Sequence, residues 1–528
     1  MPDRIDYKLL LDLYRGRATA VEQISEDERA LLALDTPVVA FLRRADSGGT
    51  KHVLLTGNAG DGKTFAIYSS HIQNMEIILD ASAALADAHD PLEGLASHIE
   101  RTLTAGKRLL VAINRGQMDR LTGFLREHNS YPQARELLEE ARPLLQLHVI
   151  PLSSSPRLSV IDLGLFDTLS DEVLNPLLNK VAGWEIDGLS TGPTRAATSA
   201  AQRALRDDGI REFVKTSLRR TRASGQHATM RQIWSVMAYL LTGGRTSGDV
   251  RPEATLDDSI GARLFSEDSR ATLLGAYRTH SDPSLVAQPK LAHAVLNHSW
   301  RPHFEGLPGL EGLLTLPGTD SRGRTLARTG AVHGADIAKS RPVPSDPYER
   351  VVEQLRDFVG WVRRESITSR LISGAYSCLG LWHAEGTYPV WSRLCFDATR
   401  ARHTGAAAFA TIDRQQLQLA LPRPNRDMVD ALGNSWWPPY VLLALNTTAG
   451  YHSIRLTPQL FRLLYTESEV ERRLMTPAEA LLVERWLSGS QTDEPGLDRI
   501  WVATSHQSAL CIERDPLSHL MSFNWQRG

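Results

Sequence analysis

The chain has 528 residues, 59 Lys and Arg against 61 Asp and Glu, and a formal net charge of −2, with 42% of its residues hydrophobic. That balance argues against a chain that is basic throughout, as a non-specific nucleic-acid binder would be, and against a disordered or fibrous one. Three widely spaced cysteines, Cys378, Cys395 and Cys511, make no C-x-x-C pair and argue against a disulfide framework or a thiolate metal site.

The N-terminal residues 1–50 read as a helical segment, with apolar spacing in "YKLLLDLY" and "ERALLALDTPVVAFLRR" and no secretory h-region. No apolar run reaches the length of a membrane span, so the chain reads as soluble and cytoplasmic. Next comes "HVLLTGNAGDGKTF" (52–65), a short apolar run, a glycine-rich turn and a helix start. The pattern Gly, four free positions, then Gly-Lys-Thr is that of a phosphate-binding loop when a strand precedes it and a helix follows. Chance is a weak rival, because the chain holds only eight lysines; the pattern should arise by accident in roughly one such chain in a hundred.

The residue types carry the chemistry. Gly57, Gly60 and Gly62 let the backbone curl with its N–H groups inward. The loop as a whole, Gly57, Asn58, Ala59, Gly60, Asp61, Gly62, Lys63, Thr64 and Phe65, is the candidate ATP-binding element. Lys63 is expected on the β- and γ-phosphates and the Thr64 hydroxyl on Mg²⁺. Asp61 reads as a spacer facing solvent.

Strands and helices then alternate: "MEIILDAS" (75–82), "RLLVAIN" (108–114), "LQLHVIPL" (145–152) and "RLSVIDL" (157–163) read as strands between helical stretches. This predicts a parallel, doubly covered sheet over 51–194. A hydrolase wants an acidic pair after its second catalytic strand, yet "LLVAIN" runs into Asn114-Arg115. Asn114 is the candidate for orienting water or metal; a guanidinium cannot act as base. Asp80, Asp119 and Asp162 are the substitute carboxylates, each with an alternative reading as an ordinary strand end or helix cap. Ser153, Ser154 and Ser155 read as a γ-phosphate sensor or a solvated turn.

Residues 195–245 read as a helical lid, its last helix closed by Gly243-Gly244. Arg231 opens that helix and is the candidate γ-phosphate sensor. Lys215, Arg219, Arg220 and Arg222 read as a solvated helix face or as a track for DNA phosphates. Residues 246–345 read as a loop-rich connector, with the Pro/Gly-rich "LPGLEGLLTLPGTDSRGRTLARTGAVHG" as long loops. From 346 to 528 amphipathic helices and alternating strands predict an α+β partner-binding domain. "HAEGTYPVW" (383–391) and "GNSWWPPYV" (433–441) read as base-stacking platforms or packed Trp-Pro loops.

"LLTGNAGDGKT", then "LLVAINRGQM", then "TMRQIWSVMAYLLTGG" resemble the ATPase component of DNA phosphorothioation-dependent restriction systems, the DptF type. The resemblance covers about residues 50–245. It implies an AAA+-like P-loop ATPase binding ATP and Mg²⁺, oligomeric, acting with other proteins of a bacterial antiviral defence complex and with foreign DNA as a further partner. That family's second strand ends in Asn-Glu-Gly where this chain has Asn114-Arg115-Gly116, an atypical Walker B. The alternative is a nucleotide-gated scaffold with little or no hydrolysis, and on this reading Arg115→Glu should raise turnover by restoring the Asn-Glu pair.

Overall fold

The structure, a computed structural model, describes residues 3–16, 24–79, 90–189, 192–225, 227–245, 254–267, 271–285, 287–315, 323–339, 346–381, 383–384, 388–391, 406–447, 450–466, 475–489, 499–505, 508–514, 518 and 520–527. They fall into two units: one holds Met1–Leu147, Leu152–Pro344 and Pro424–Trp437, the other His148–Pro151, Ser345–Arg423 and Pro438–Gly528.

The first unit is α/β. Its sheet has four parallel strands, β1 (His52–Thr56), β2 (Glu76–Ile78), β3 (Leu109–Ala112) and β4 (Leu158–Asp162), in the order β2-β3-β1-β4. Their near-continuous apolar character fits a sheet covered on both faces. Leu54, Val111, Leu158 and Val160 are buried against the helices Pro91–Thr104, α2 (Arg115–Glu127) and Pro132–Leu144. The helix that follows β1, α1 (Lys63–Ser70), packs instead with Pro37–Gly48. The connections leaving the adjacent strands β1 and β3 therefore run along opposite faces of the sheet. That divergence opens a crevice at the strands' carboxyl ends, where open α/β sheets bind ligands.

A second core joins Tyr7–Arg15, Asp208–Arg219 and α3 (Met230–Thr242). Trp184 stacks on Trp234 with centroids 5.7 Å apart. α3 ends as its sequence predicts, at Gly243 in the left-handed region (φ 62°). Its last carbonyls are met by the buried Arg263, which donates to Leu240 O (2.7 Å) and Leu241 O (2.8 Å).

Three expectations need correction. The run 145–152 forms no sheet strand; His148 bridges to Arg423, and Ile150 is 71% exposed. Part of the stretch read as long loops is the helix Gly323–His333, with Leu326 and Ala327 buried; 316–322 lie outside the described residues. The C-terminal region is also not continuous. Pro424–Trp437 joins the first unit through α4 (Arg426–Leu432). Asp427 takes the Lys51 ammonium at 2.9 Å and the Ser159 hydroxyl at 2.9 Å, and Asn425 donates to Leu144 O at 2.7 Å.

His333 gives the first unit a pH dependence. Burial pushes its imidazole from 6.5 down to about 4, although its Nδ1 lies 3.1 Å from Pro308 O, and its buried Nε2 has no partner. The unfolded chain takes up this proton below 6.5 and the folded one does not until about 4. Stability should therefore fall as pH drops through that window, by up to about 3 kcal/mol. Urea melts at pH 7 and pH 4.5 should show a shallower pH slope for His333→Gln than for wild type; equal slopes would assign the loss to other groups.

The second unit is α+β. It has a three-stranded antiparallel sheet (Leu417–Ala420, Val441–Thr447, Gly450–Leu456) and a five-stranded antiparallel one running from Tyr388–Trp391 to the edge strand Met521–Arg527. Helices Pro347–Leu355, Glu365–Leu379 and Pro458–Tyr465 accompany them. Among the described residues no helix is long and apolar enough to cross a membrane.

Candidate functional site at the glycine-rich loop

The loop begins where β1 ends. Gly57 (φ 143°), Gly60 (φ 90°) and Gly62 (φ 90°) all have positive φ. At Gly57 space also demands glycine, because a Cβ would fall 2.7 Å from Asp61 Oδ2. Gly62 is the N-cap of α1 and makes no side-chain capping bond, which leaves first-turn N–H groups of the helix to a ligand. Lys63 is folded into the curl, 9% exposed, its ammonium donating to Asn58 O (2.7 Å) and Gly57 O (3.3 Å).

Asp61 corrects the sequence reading. It does not face solvent: its side chain is wholly buried, with Oδ2 accepting from Asn58 N at 2.6 Å and Oδ1 lying 3.0 Å from His227 Nε2.

A pocket opens beside the loop, and all of it belongs to the first unit. Gly60, Asp61, Gly62, Lys63 and Thr64 form one wall, and Ala112 and Asn114 follow from β3. Met230, Arg231 and Trp234 of α3 line a second side, while Leu13, Ile24, Leu34 and Val39 of the N-terminal segment give it an apolar end. Thus Lys63, Thr64, Asn114 and Arg231, chosen from sequence, come together around one cavity. Ala59 and Phe65 line it too. Arg231 is held there by its own backbone, whose N–H donates to Gly60 O at 3.2 Å.

Asn114 precedes α2. It caps that helix reciprocally with Gln117: its N–H donates to Gln117 Oε1 (3.3 Å), and its side-chain oxygen faces the Gln117 N–H without a close hydrogen bond. Thr64 and Asn114 both line the pocket and both carry side-chain oxygens, the donor type of a hard cation that keeps most of its waters, as Mg²⁺ does.

Arg115 is placed differently from the sequence expectation. Its N–H lies 3.4 Å from Gly57 O, and its guanidinium pairs with Asp162 at the end of β4. Asp162 is wholly buried and also accepts from Gly164 N at 2.9 Å. Neither residue lines the pocket. The pair ties α2 to β4 beneath the loop, so Arg115 is a structural cation and Asp162 its counter-ion. Asp119 is exposed on α2, and Asp80 lies outside the described residues. Ser155 holds the turn before β4, pairing with Glu140 and accepting from Arg157 N and Leu158 N, each at 3.1 Å.

The basic segment is largely consumed internally. Lys215 pairs with Asp171 (2.9 Å) and Glu212 (2.8 Å), Arg219 with Asp171 (2.7 Å), and Arg222 with Asp167. Burial opposes the Lys215 charge, but hydrogen bonds to Glu212 and Asp171 hold its pKa above the ordinary value. Arg222 also covers the Trp437 ring at 4.6 Å, and Trp436 is buried, its backbone bridged to Phe166. Of the two aromatic stretches, "GNSWW" is a packed loop of the first unit; in the other, Tyr388 is buried and 385–387 lie outside the described residues.

Sequence reasoning missed the apolar pocket end and both buried carboxylate pairs. His227 is 166 positions from Asp61, and no local pattern announces the contact. A comparison with protein-family models finds no match, and comparisons with curated proteins and with solved structures find none either.

Proposed function

We propose that the first unit binds a nucleoside triphosphate with Mg²⁺, in the manner of a P-loop NTPase, and that ATP is the natural ligand. One observation carries the reading: a three-glycine curl with buried Lys63 opens a helix at the carboxyl end of a parallel strand, beside a pocket with a polar and an apolar end. The loop would take the phosphates, Lys63 the β/γ charge, Thr64 and Asn114 the hydrated Mg²⁺, and the apolar end the base. Mg²⁺, when bound, supplies positive charge against the phosphates. Arg231, at the lip, is suited to the γ-phosphate.

Of the two functional alternatives, nucleotide-gated binding is favoured over rapid hydrolysis. Asp61 is the only carboxylate among the described pocket-lining residues, and both its oxygens are engaged. A general base needs a free acceptor within reach of the attacking water. The AAA+ assignment, the oligomer, the defence complex and DNA as partner rest on the sequence resemblance; the pairing of the basic residues speaks against 215–222 as the DNA contact. MgATP should raise the melting temperature of the full chain and adenosine should not, while steady-state turnover should be slow, with or without DNA. Brisk hydrolysis would restore the ATPase alternative, with Asp80 the first residue to mutate.

A further inference from the structure

We infer that His227 is a positioning residue for the phosphate loop and that it acts through Asp61. The inference rests on the nucleotide reading above and deepens it. Asp61 sits under the curl with its carboxylate wholly buried. One oxygen receives Asn58 N at 2.6 Å, which fixes the first bend of the loop after Gly57. The other lies 3.0 Å from His227 Nε2. An ionised carboxylate only accepts, so Nε2 carries the proton and the tautomer is set by this contact. Asp61 Oδ2 occupies space that glycine at 57 leaves open, since a Cβ there would fall 2.7 Å from it.

His227 is not an isolated contact. It heads the segment that runs into α3, and that segment touches the loop again. Arg231 N donates to Gly60 O at 3.2 Å, and a Cβ at Gly62 would lie 3.3 Å from Met230 Cγ. The loop therefore keeps its ligand-ready curl only while the entry to α3 is seated on it. A displacement of residues 227–231 would break the His227–Asp61 and Arg231–Gly60 bonds together and leave Asp61, the partner of Asn58 N–H, without its second anchor. By linkage, whatever holds the loop also holds that segment, and the coupling runs equally in both directions.

The test uses the full chain and the variants His227→Ala, His227→Gln, Asp61→Asn and the His227→Ala/Asp61→Asn double variant. Hydrogen–deuterium exchange of the peptide covering 57–62, without nucleotide, should quicken at least fivefold in His227→Ala. It should stay near wild type in His227→Gln, which keeps an N–H donor. MgATP affinity by calorimetry should fall at least fivefold in His227→Ala, recover in His227→Gln, and be no weaker in the double variant than in Asp61→Asn. Unchanged loop exchange in His227→Ala, or additive losses in the double variant, would overturn the inference. Failure of wild type to bind MgATP would instead overturn the nucleotide reading, and the nucleotide-free exchange then decides the His227–Asp61 link by itself.

Discussion

Arg115→Glu is expected to destabilise the first unit by about 3 kcal/mol or more rather than to create an active hydrolase. Arg115 is half exposed, but its partner Asp162 is wholly buried, and among the described residues the Asp162 oxygen not on Arg115 takes only the Gly164 N–H. Removing one member of such a pair strands the other charge in the interior, which costs about 3–5 kcal/mol in measured cases, and a second carboxylate adds repulsion. The exposed half of the pair is screened by water, so the lower end of that range applies. For a unit of this size the melting temperature should drop by roughly 4 °C. Arg115→Lys should recover part of the loss, since it keeps the charge but not the planar fork. A variant as stable as wild type that turns ATP over faster would return Arg115 to the catalytic position that the sequence suggests.

Lys63→Ala carries the second large effect. The ammonium lies in the curl, bonded to two loop carbonyls, and is the lysine that the loop pattern places on the phosphates. A triphosphate would offer it oxygens of full negative charge in place of neutral carbonyls, and charge-assisted bonds are roughly twice as strong as neutral ones. Loss of that cation should weaken MgATP at least tenfold, about 1.4 kcal/mol. Stability without nucleotide should change less than in Arg115→Glu, because the acceptors that lose their donor are neutral carbonyls rather than a buried carboxylate. Melting curves with and without MgATP separate the two effects.

The contrast between these residues shows how far the sequence could be read. The strand, curl and helix across 52–70 were legible because each is set locally: apolar residues in β1, glycines where φ turns positive, and the Lys63-Thr64 start of α1. The capped helix from Met230 to Thr242 was legible for the same reason, with Thr229 and Gln232 at one end and Gly243 at the other. What failed depends on partners far along the chain. Ile150 belongs to an apolar run that looks like a strand, yet the neighbouring His148 pairs with Arg423, and no sheet edge accepts the run. Asp61 looked solvated because polar loop residues usually are, until His227 covers it. Arg115 looked misplaced in a catalytic motif because Asp162 is 47 positions away. Lys215, Arg219 and Arg222 looked like a basic track, but apart from Glu212 on the same helix as Lys215, the carboxylates that neutralise them lie on or just before the helix Asp171–Gly183. Periodicity and turn chemistry report on local geometry; ion-pair partners across the fold leave no local trace.

The central claim is that the glycine-rich loop holds the phosphates of a nucleotide. Calorimetric titration of the full chain with MgATP, set against adenosine and against Lys63→Ala, tests it most directly. MgATP should bind where adenosine does not, and Lys63→Ala should weaken that binding at least tenfold. Adenosine binding as tightly as MgATP, or MgATP binding untouched by Lys63→Ala, would contradict it.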